Sequence, residues 1–494
     1  MTQMKQYQID TSEYAEVTAV HHPLVNAKGF TTIHPGEMVV FGDDEQSLGQ
    51  VLSFDATEIK LMIFSKKPIK TGDKLYRTNK QLSFPIVTGL LGSVFNPLGE
   101  LLITNSKKTD SAIIEYREVY QEPAKIVQRK RIVKQLITGF GVTDLLLPIG
   151  EGQRELLIGD RKSGKGVFAK NIAVKQAQLG NKVVYAMIAK TTADIKSAYD
   201  YFVKQNVIDN IVIIASTPKD SISSIVITPY SAMTVAEYLL TKGESVLLIL
   251  DDLTSQAEFY REISLLAKKF PGRDSYPGDI FFSQAELLER SGSFAHPQDP
   301  EKTVSLTCLP VVRTMSSDLT DFIASNLISI TDGHLLFEPR LFNQGFRPAI
   351  NTGLSVTRVG KQTQSAVQRD INLKITSYLA IYQKTKNLTH LGSEISAKSQ
   401  KILLKGEILT DFFSETNGLP LSVQIVLLTM IWLDWFEHSH KNVISNCKFE
   451  LNKQYNKKNV KEKIDLLLTN SKSFAELLTA IETEKTFLLN LCQV

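Results

Sequence analysis

The sequence predicts a multidomain chain: an N-terminal β-barrel, a central α/β domain with a mostly parallel sheet, and a C-terminal helical bundle. One observation is size. At 494 residues, 43% of them hydrophobic, the chain exceeds a single core, which stops growing near roughly 250–300 residues. The other two are changes of hydrophobic period, which set the predicted domains at 1–87, 88–361 and 362–494.

From about Val17 to Ser83, short apolar or alternating runs are broken by turn residues (EVTAVHHP, GEMVVFGDD, GQVLSFDATEIKLMIF, KTGDKLYRT). No segment of helical period interrupts them, which predicts a small barrel or sandwich. From about Val87 to Gly360, the buried-strand runs RELLIGD, KVVYAMIA, NIVIIAS and SVLLILDD are each followed by a stretch of helical length. Such alternation implies parallel strands covered by helices on both faces. From Gln362 onward strand signals vanish, and QRDINLKITSYLAIYQK, SAKSQKILLKGEILTDFF and VQIVLLTMIWLDWFEH read as helices. The stretch NKQYNKKNVKEK reads as a solvated helix face or loop.

Composition narrows the function. A net charge of +4 is too small for a nucleic-acid footprint, which needs clustered Lys and Arg on one face. The three cysteines, Cys308, Cys447 and Cys492, are widely spaced with no C-x-x-C pair, so the expectation is neither a disulfide framework nor a zinc site, and a reducing cytoplasm. No apolar run approaches the roughly 20 residues that span a bilayer, and the polar start is unlike a signal sequence. Any link to a membrane is therefore expected to go through partners.

Gly159-Asp160-Arg161-Lys162-Ser163-Gly164-Lys165-Gly166 follows the strand ELLI and precedes the helical run VFAKNIAVKQAQ. Bare backbone N–H groups at a helix N-terminus attract phosphate, and glycines let the loop wrap it closely. Lys165 supplies a point charge for the outer phosphates. Gly166 departs from the G-x-x-x-x-G-K-[ST] pattern, because it stands where a hydroxyl normally holds magnesium. About 90 residues downstream, the apolar strand Leu247-Leu248-Ile249-Leu250 ends in Asp251 and Asp252. A P-loop sheet places its metal-water ligand at such a strand end, which makes Asp251 the metal-side acid and Asp252 a helix cap.

Over nearly its whole length the chain resembles the α subunit of F-type rotary ATPases, whose core is a RecA-like P-loop domain. The resemblance lies in LLLPIGEGQRELLIGDRKSGKG, in DDLTSQAEFYREISLLAKKFPGRDSYPGDIFFSQAELLERSG and in NLISITDGHLLFEPRLFNQGFRPAINTGLSVTRVG. It continues through KGEILTDFF and LPLSVQIVLLTMI and is weakest over the first ~16 and last ~50 residues. It implies that Gly159 to Gly166 hold the phosphates of ATP or ADP. It also implies that Arg358 is an arginine finger reaching a neighbouring subunit's γ-phosphate, with Ser329 and Ser355 supporting it across that interface. A β-type catalytic partner in an alternating hexamer, a γ-type shaft and a location at the inner face of the cell membrane follow from the same resemblance.

Several positions depart from the family. Ala189 in VVYAMIAKTT stands where catalytic β-type subunits carry a glutamate and α subunits a glutamine, and alanine can neither orient a water nor accept a proton. Together with Gly166 this predicts a non-hydrolysing site with weak or absent magnesium. Glu415 and Asn417 stand where α subunits place glutamines near the adenine. Only about 15 residues precede EVTAV, shorter than the usual arm that docks the peripheral stalk. With the Lys/Asn-rich tail, that leads to the expectation of a specialised rotary machine, such as the motility-linked assemblies of some wall-less bacteria. The alternative is a conventional proton-coupled ATP synthase α subunit. A self-sufficient ATPase and a Rho-type RNA translocase are the competing classes, opposed by the missing side chains and by the low net charge.

Overall fold

A computed structural model of the chain describes residues 7, 9–42, 47–55, 57–64, 67–104, 112–389, 396–415, 418–436 and 441–492. The chain divides into two compact units. The first comprises Met1–Arg131, Gln176–Thr314 and Asp318–Thr331, and the second Ile132–Lys175, Met315–Ser317 and Asp332–Val494.

The first unit opens with six strands: β1 (Asp10–His21), β2 (Leu24–Lys28), β3 (Glu37–Phe41), β4 (Leu48–Phe54), β5 (Ile59–Ile63) and β6 (Lys74–Gln81). They close into a barrel in the order β1-β2-β5-β4-β3-β6. Closure removes exposed sheet edges, and alternate residues such as Ala15, Val17, Val39, Leu61 and Leu75 point inward as one apolar cluster. The barrel starts seven residues earlier than Val17, at Asp10. Tyr14, Ala15 and Glu16 pair with Tyr76, Leu75 and Lys74, so register with β6 rather than an apolar run makes this polar stretch a strand.

The same unit carries five parallel strands in the order Asp299–Thr314, Val246–Asp251, Lys182–Met187, Ile211–Ala215 and Ser93–Phe95. Antiparallel strands Leu101–Thr104 and Gly292–His296 flank this set. Strands of a parallel sheet are covered on both faces, hence their continuous apolar text. The helix Ile222–Thr241 is buried along most of its length.

In the second unit, the strand Glu155–Asp160 runs parallel to Gly333–Phe337, which pairs antiparallel with Val356–Thr357. The helix Lys165–Gln178 packs through Phe168, whose ring centroid lies 4.7 Å from Phe140 and 5.2 Å from Phe337. Among the described residues seven helices follow from Ala366 to Cys492, and the Lys/Asn-rich stretch falls on two of them, Lys441–Tyr455 and Lys458–Asn470. Asp144 ties the bundle to the strands. Wholly buried, it accepts hydrogen bonds from Thr138 N at 2.8 Å, Gly139 N at 2.9 Å and Gln424 Nε2 at 3.1 Å.

One expectation fails here. Cys447 and Cys492 form a disulfide between two helices of the bundle, with their Cα atoms 4.2 Å apart, although they lie 45 residues apart in sequence. Spacing cannot reveal a pairing made by helix packing. Cys308 is free and buried. Among the described residues no helix is long and apolar enough to cross a membrane, and no group of three or more His, Cys, Asp or Glu side chains could hold a metal ion.

Candidate functional site

The phosphate loop leaves the strand Glu155–Asp160 and enters the helix at Lys165. Gly159 has φ +152°, and a Cβ there would run into the Phe337 carbonyl oxygen. Only glycine lets the loop lie this close to the neighbouring strand. The Lys165 ammonium is nearly buried, donating to Gly159 O at 2.5 Å and Asp160 O at 2.7 Å. Ser163 Oγ donates to Asp160 O at 2.8 Å, and the Asp160 carboxylate accepts from Ser317 N at 2.8 Å. Gly166, the second residue of the helix, brings no hydroxyl. A cleft of about 960 Å³ in this unit is lined in part by Glu338, Arg340, Pro348, Lys386, Asp411 and Ser414, within the size range of ligand pockets. Asn417 and the Glu415 side chain lie outside the described residues.

In the first unit, Asp251 ends its strand and Asp252 begins the helix Leu253–Leu266. Lys190 bridges both carboxylates, 2.8 Å from Asp251 Oδ1 and 3.1 Å from Asp252 Oδ2. Tyr185 OH donates to Asp251 Oδ2 at 3.3 Å. Asp252 caps the helix by accepting from Ser255 N at 2.7 Å, and Arg313 Nε lies 3.4 Å away. Burial alone raises the Asp252 carboxyl, but the Lys190 and Arg313 charges and the Ser255 amide outweigh it and hold it below the ordinary value. Ala189 has φ +52°, and its N–H donates to Ser216 Oγ at 3.2 Å. Lys190, one residue further on, is a partner that sequence reasoning missed. Its signal was a lone cation just past an apolar strand.

Arg358 lies in the second unit, with its side chain exposed and its N–H donating to Asp332 O at 3.0 Å. Asp332 is clamped in turn by Arg154, through Nε at 3.0 Å and Nη2 at 2.8 Å. Ser355, on the same segment, is buried. Its hydroxyl donates to Asn351 O at 2.6 Å and accepts from Leu336 N at 2.9 Å, so it fixes backbone. Ser329 belongs to the first unit and donates to Asn326 O at 2.6 Å. Near Arg358, His334 Nε2 donates to Leu354 O at 2.9 Å, and Nδ1 is buried without a partner among the described residues. Burial, with help from the Arg358 charge, holds this imidazole below its ordinary value. Glu155, wholly buried, was also missed, because within RELLIGD it reads as a polar strand start.

Residues 139–357 match the ATP synthase alpha/beta family, nucleotide-binding domain. The ATP synthase subunit alpha of Petrotoga mobilis is 34% identical over 418 residues, covering 84% of this chain and 82% of that protein. The chain belongs to the ATP synthase α-subunit family. The family's subunit alpha from Neorickettsia sennetsu is 34% identical over 85% of this chain and 83% of its own length. The one from Alteromonas mediterranea is 32% identical over 82% and 80%. Membership gives the central domain its general role, nucleotide binding, and accounts for the order of barrel, α/β core and helical bundle.

Proposed function

We propose that this chain is the α-type, non-catalytic nucleotide-binding subunit of a rotary ATPase head, and that Arg358 completes the ATP site of a β-type partner. The exposure of Arg358 on a segment whose backbone is anchored by Asp332 and Ser355 carries the reading. Phosphoryl transfer spreads negative charge over the transferring oxygens, and an arginine supplied in trans is worth roughly 10³–10⁵ in rate. Ser355 supports the finger by fixing its backbone, and Ser329 is assigned the same interface by position.

The chain's own loop suits a nucleotide, because it is a glycine-bearing turn from strand into helix with Lys165 at the helix start. Magnesium fits less well. Gly166 lacks the hydroxyl that would hold it. The loop therefore holds ATP or ADP with weak metal dependence, and Ala189 leaves no side chain to position an attacking water. Partners on this reading are β-type catalytic subunits alternating around a γ-type shaft, with membrane components reached only indirectly. The relatives are all named ATP synthase subunit alpha, which favours a conventional proton-coupled machine over a specialised one.

The test compares two variants in the assembled complex. Arg358→Ala should cut ATP turnover by about 10²-fold or more with assembly intact, and Lys165→Ala should cut it less. A reversed order would sink the assignment.

A further inference from the structure

We propose that Glu155 is a positioning residue for Arg358: its buried carboxyl fills the side-chain space left by Gly333 and accepts from Gln153, whose amide reaches the Thr357 hydroxyl on the segment from which the finger projects. The proposal rests on Arg358 acting in trans. Three strands put the parts in one row, since Glu155 pairs with Gly333 and Gly333 with Thr357. Gly333 is the gap that lets the row close. A Cβ there would meet Glu155 Oε2 at 2.5 Å and Oε1 at 3.0 Å, as well as the Val356 carbonyl oxygen.

The Gln153 amide joins the two outer members. Its Nε2 donates to Glu155 Oε2 at 2.5 Å and reaches Thr357 Oγ1 at 3.4 Å, while its Oε1 accepts from Gly150 N at 2.7 Å. The Thr357 hydroxyl is itself a hub, donating to Pro148 O at 2.8 Å and accepting from Gly360 N at 3.1 Å. Residues 357 to 360, which bracket Arg358, are thereby tied to the start of the phosphate-loop strand.

Glu155 Oε1 is buried with no partner among the described residues. A buried carboxylate in that setting is strongly disfavoured. Burial pushes the Glu155 carboxyl well above its ordinary value, with the Gln153 amide and the Arg358 charge acting against it and Asp332 with it. Burial thus favours its acid form, and the side chain acts on the finger segment through its shape against Gly333 and its hydrogen bond to Gln153.

The experiment measures ATP turnover of the complex with its catalytic partner. Glu155→Ala should lower kcat about tenfold to hundredfold, because small misplacements of a catalytic group cost that much, with KM changed less than about threefold. Glu155→Gln, which keeps the shape without a charge, should restore kcat to within about threefold. Adding Glu155→Ala to Arg358→Ala should lower turnover no further than Arg358→Ala alone, since both remove one interaction. If Glu155→Ala fails to assemble, Thr357→Val replaces it, removing the hub hydroxyl, and should lower kcat at least about threefold. Unchanged kcat in the variant that assembles, no rescue by glutamine, or additive losses overturn the positioning role. If Arg358→Ala itself leaves turnover intact, the finger reading fails and takes this proposal with it.

Discussion

Substituting Asp252 separates two stabilising roles held by one side chain. The carboxylate is 4% exposed and faces Lys190 and Arg313, which are 24% and 18% exposed. Removing one partner of a buried ion pair costs about 3–5 kcal/mol. The lower end applies here, because Lys190 retains Asp251 at 2.8 Å and Arg313 retains Glu258 at 3.1 Å. Loss of the helix cap at Ser255 adds about 1 kcal/mol. Asp252→Ala should therefore destabilise by about 4 kcal/mol. Asp252→Asn keeps a capping oxygen and should cost about 3 kcal/mol.

Urea titration of the chain reads the totals, and hydrogen exchange at the Ser255 amide reads the cap. Exchange should quicken more in the alanine variant than in the asparagine variant. Because the folded carboxyl lies below its ordinary value, its stabilisation is complete above the unfolded value of about 3.9 and is lost as pH falls through the folded one. The wild-type advantage over Asp252→Asn should thus be equal at about pH 5 and 7 and shrink below about pH 4. Equal effects of the two variants would refute the cap, and losses under about 1 kcal/mol would refute the ion pair.

Gly159→Ala sets a Cβ against the Phe337 carbonyl and should weaken nucleotide binding by about tenfold or more, measured with a fluorescent ATP analogue. Gly166→Thr combined with Ala189→Glu should make nucleotide binding depend more on magnesium in calorimetric titrations, with little new hydrolysis by the chain alone. Phe412, wholly buried and 5.1 Å from the Phe413 ring centroid, should cost about 3–5 kcal/mol as alanine, seen in the urea midpoint of the helical bundle.

Elements with a repeating side-chain pattern could be read from the sequence. The runs RELLIGD, KVVYAMIA, NIVIIAS and SVLLILDD become the strands Glu155–Asp160, Lys182–Met187, Ile211–Ala215 and Val246–Asp251, since burial on both faces leaves a continuous apolar signature. The strand-to-helix turn at Gly159 to Gly166 was legible because the phosphate-holding role proposed for it needs glycines and a lysine at fixed offsets. Features that depend on partners far apart in the chain were not. The Lys190 bridge joins residues 62 positions apart, the Gln153 contact with Thr357 spans 204, and the disulfide spans 45. Each is made by tertiary packing, which leaves no local period. The polar first half of β1 was missed for the same reason, as only its pairing with β6 makes it a strand.

The discontinuity of the second unit has a consequence for synthesis. The barrel owns all six of its strands once Gln81 has left the ribosome. Asp144, 280 residues ahead of Gln424, must wait for that amide, and Gly139 for the Gly418 N–H that closes on it at 2.8 Å. At roughly 5–20 residues per second, the delay after the barrel is on the order of half a minute. A nascent chain stopped in that interval carries the phosphate-loop sequence without the scaffold that shapes it.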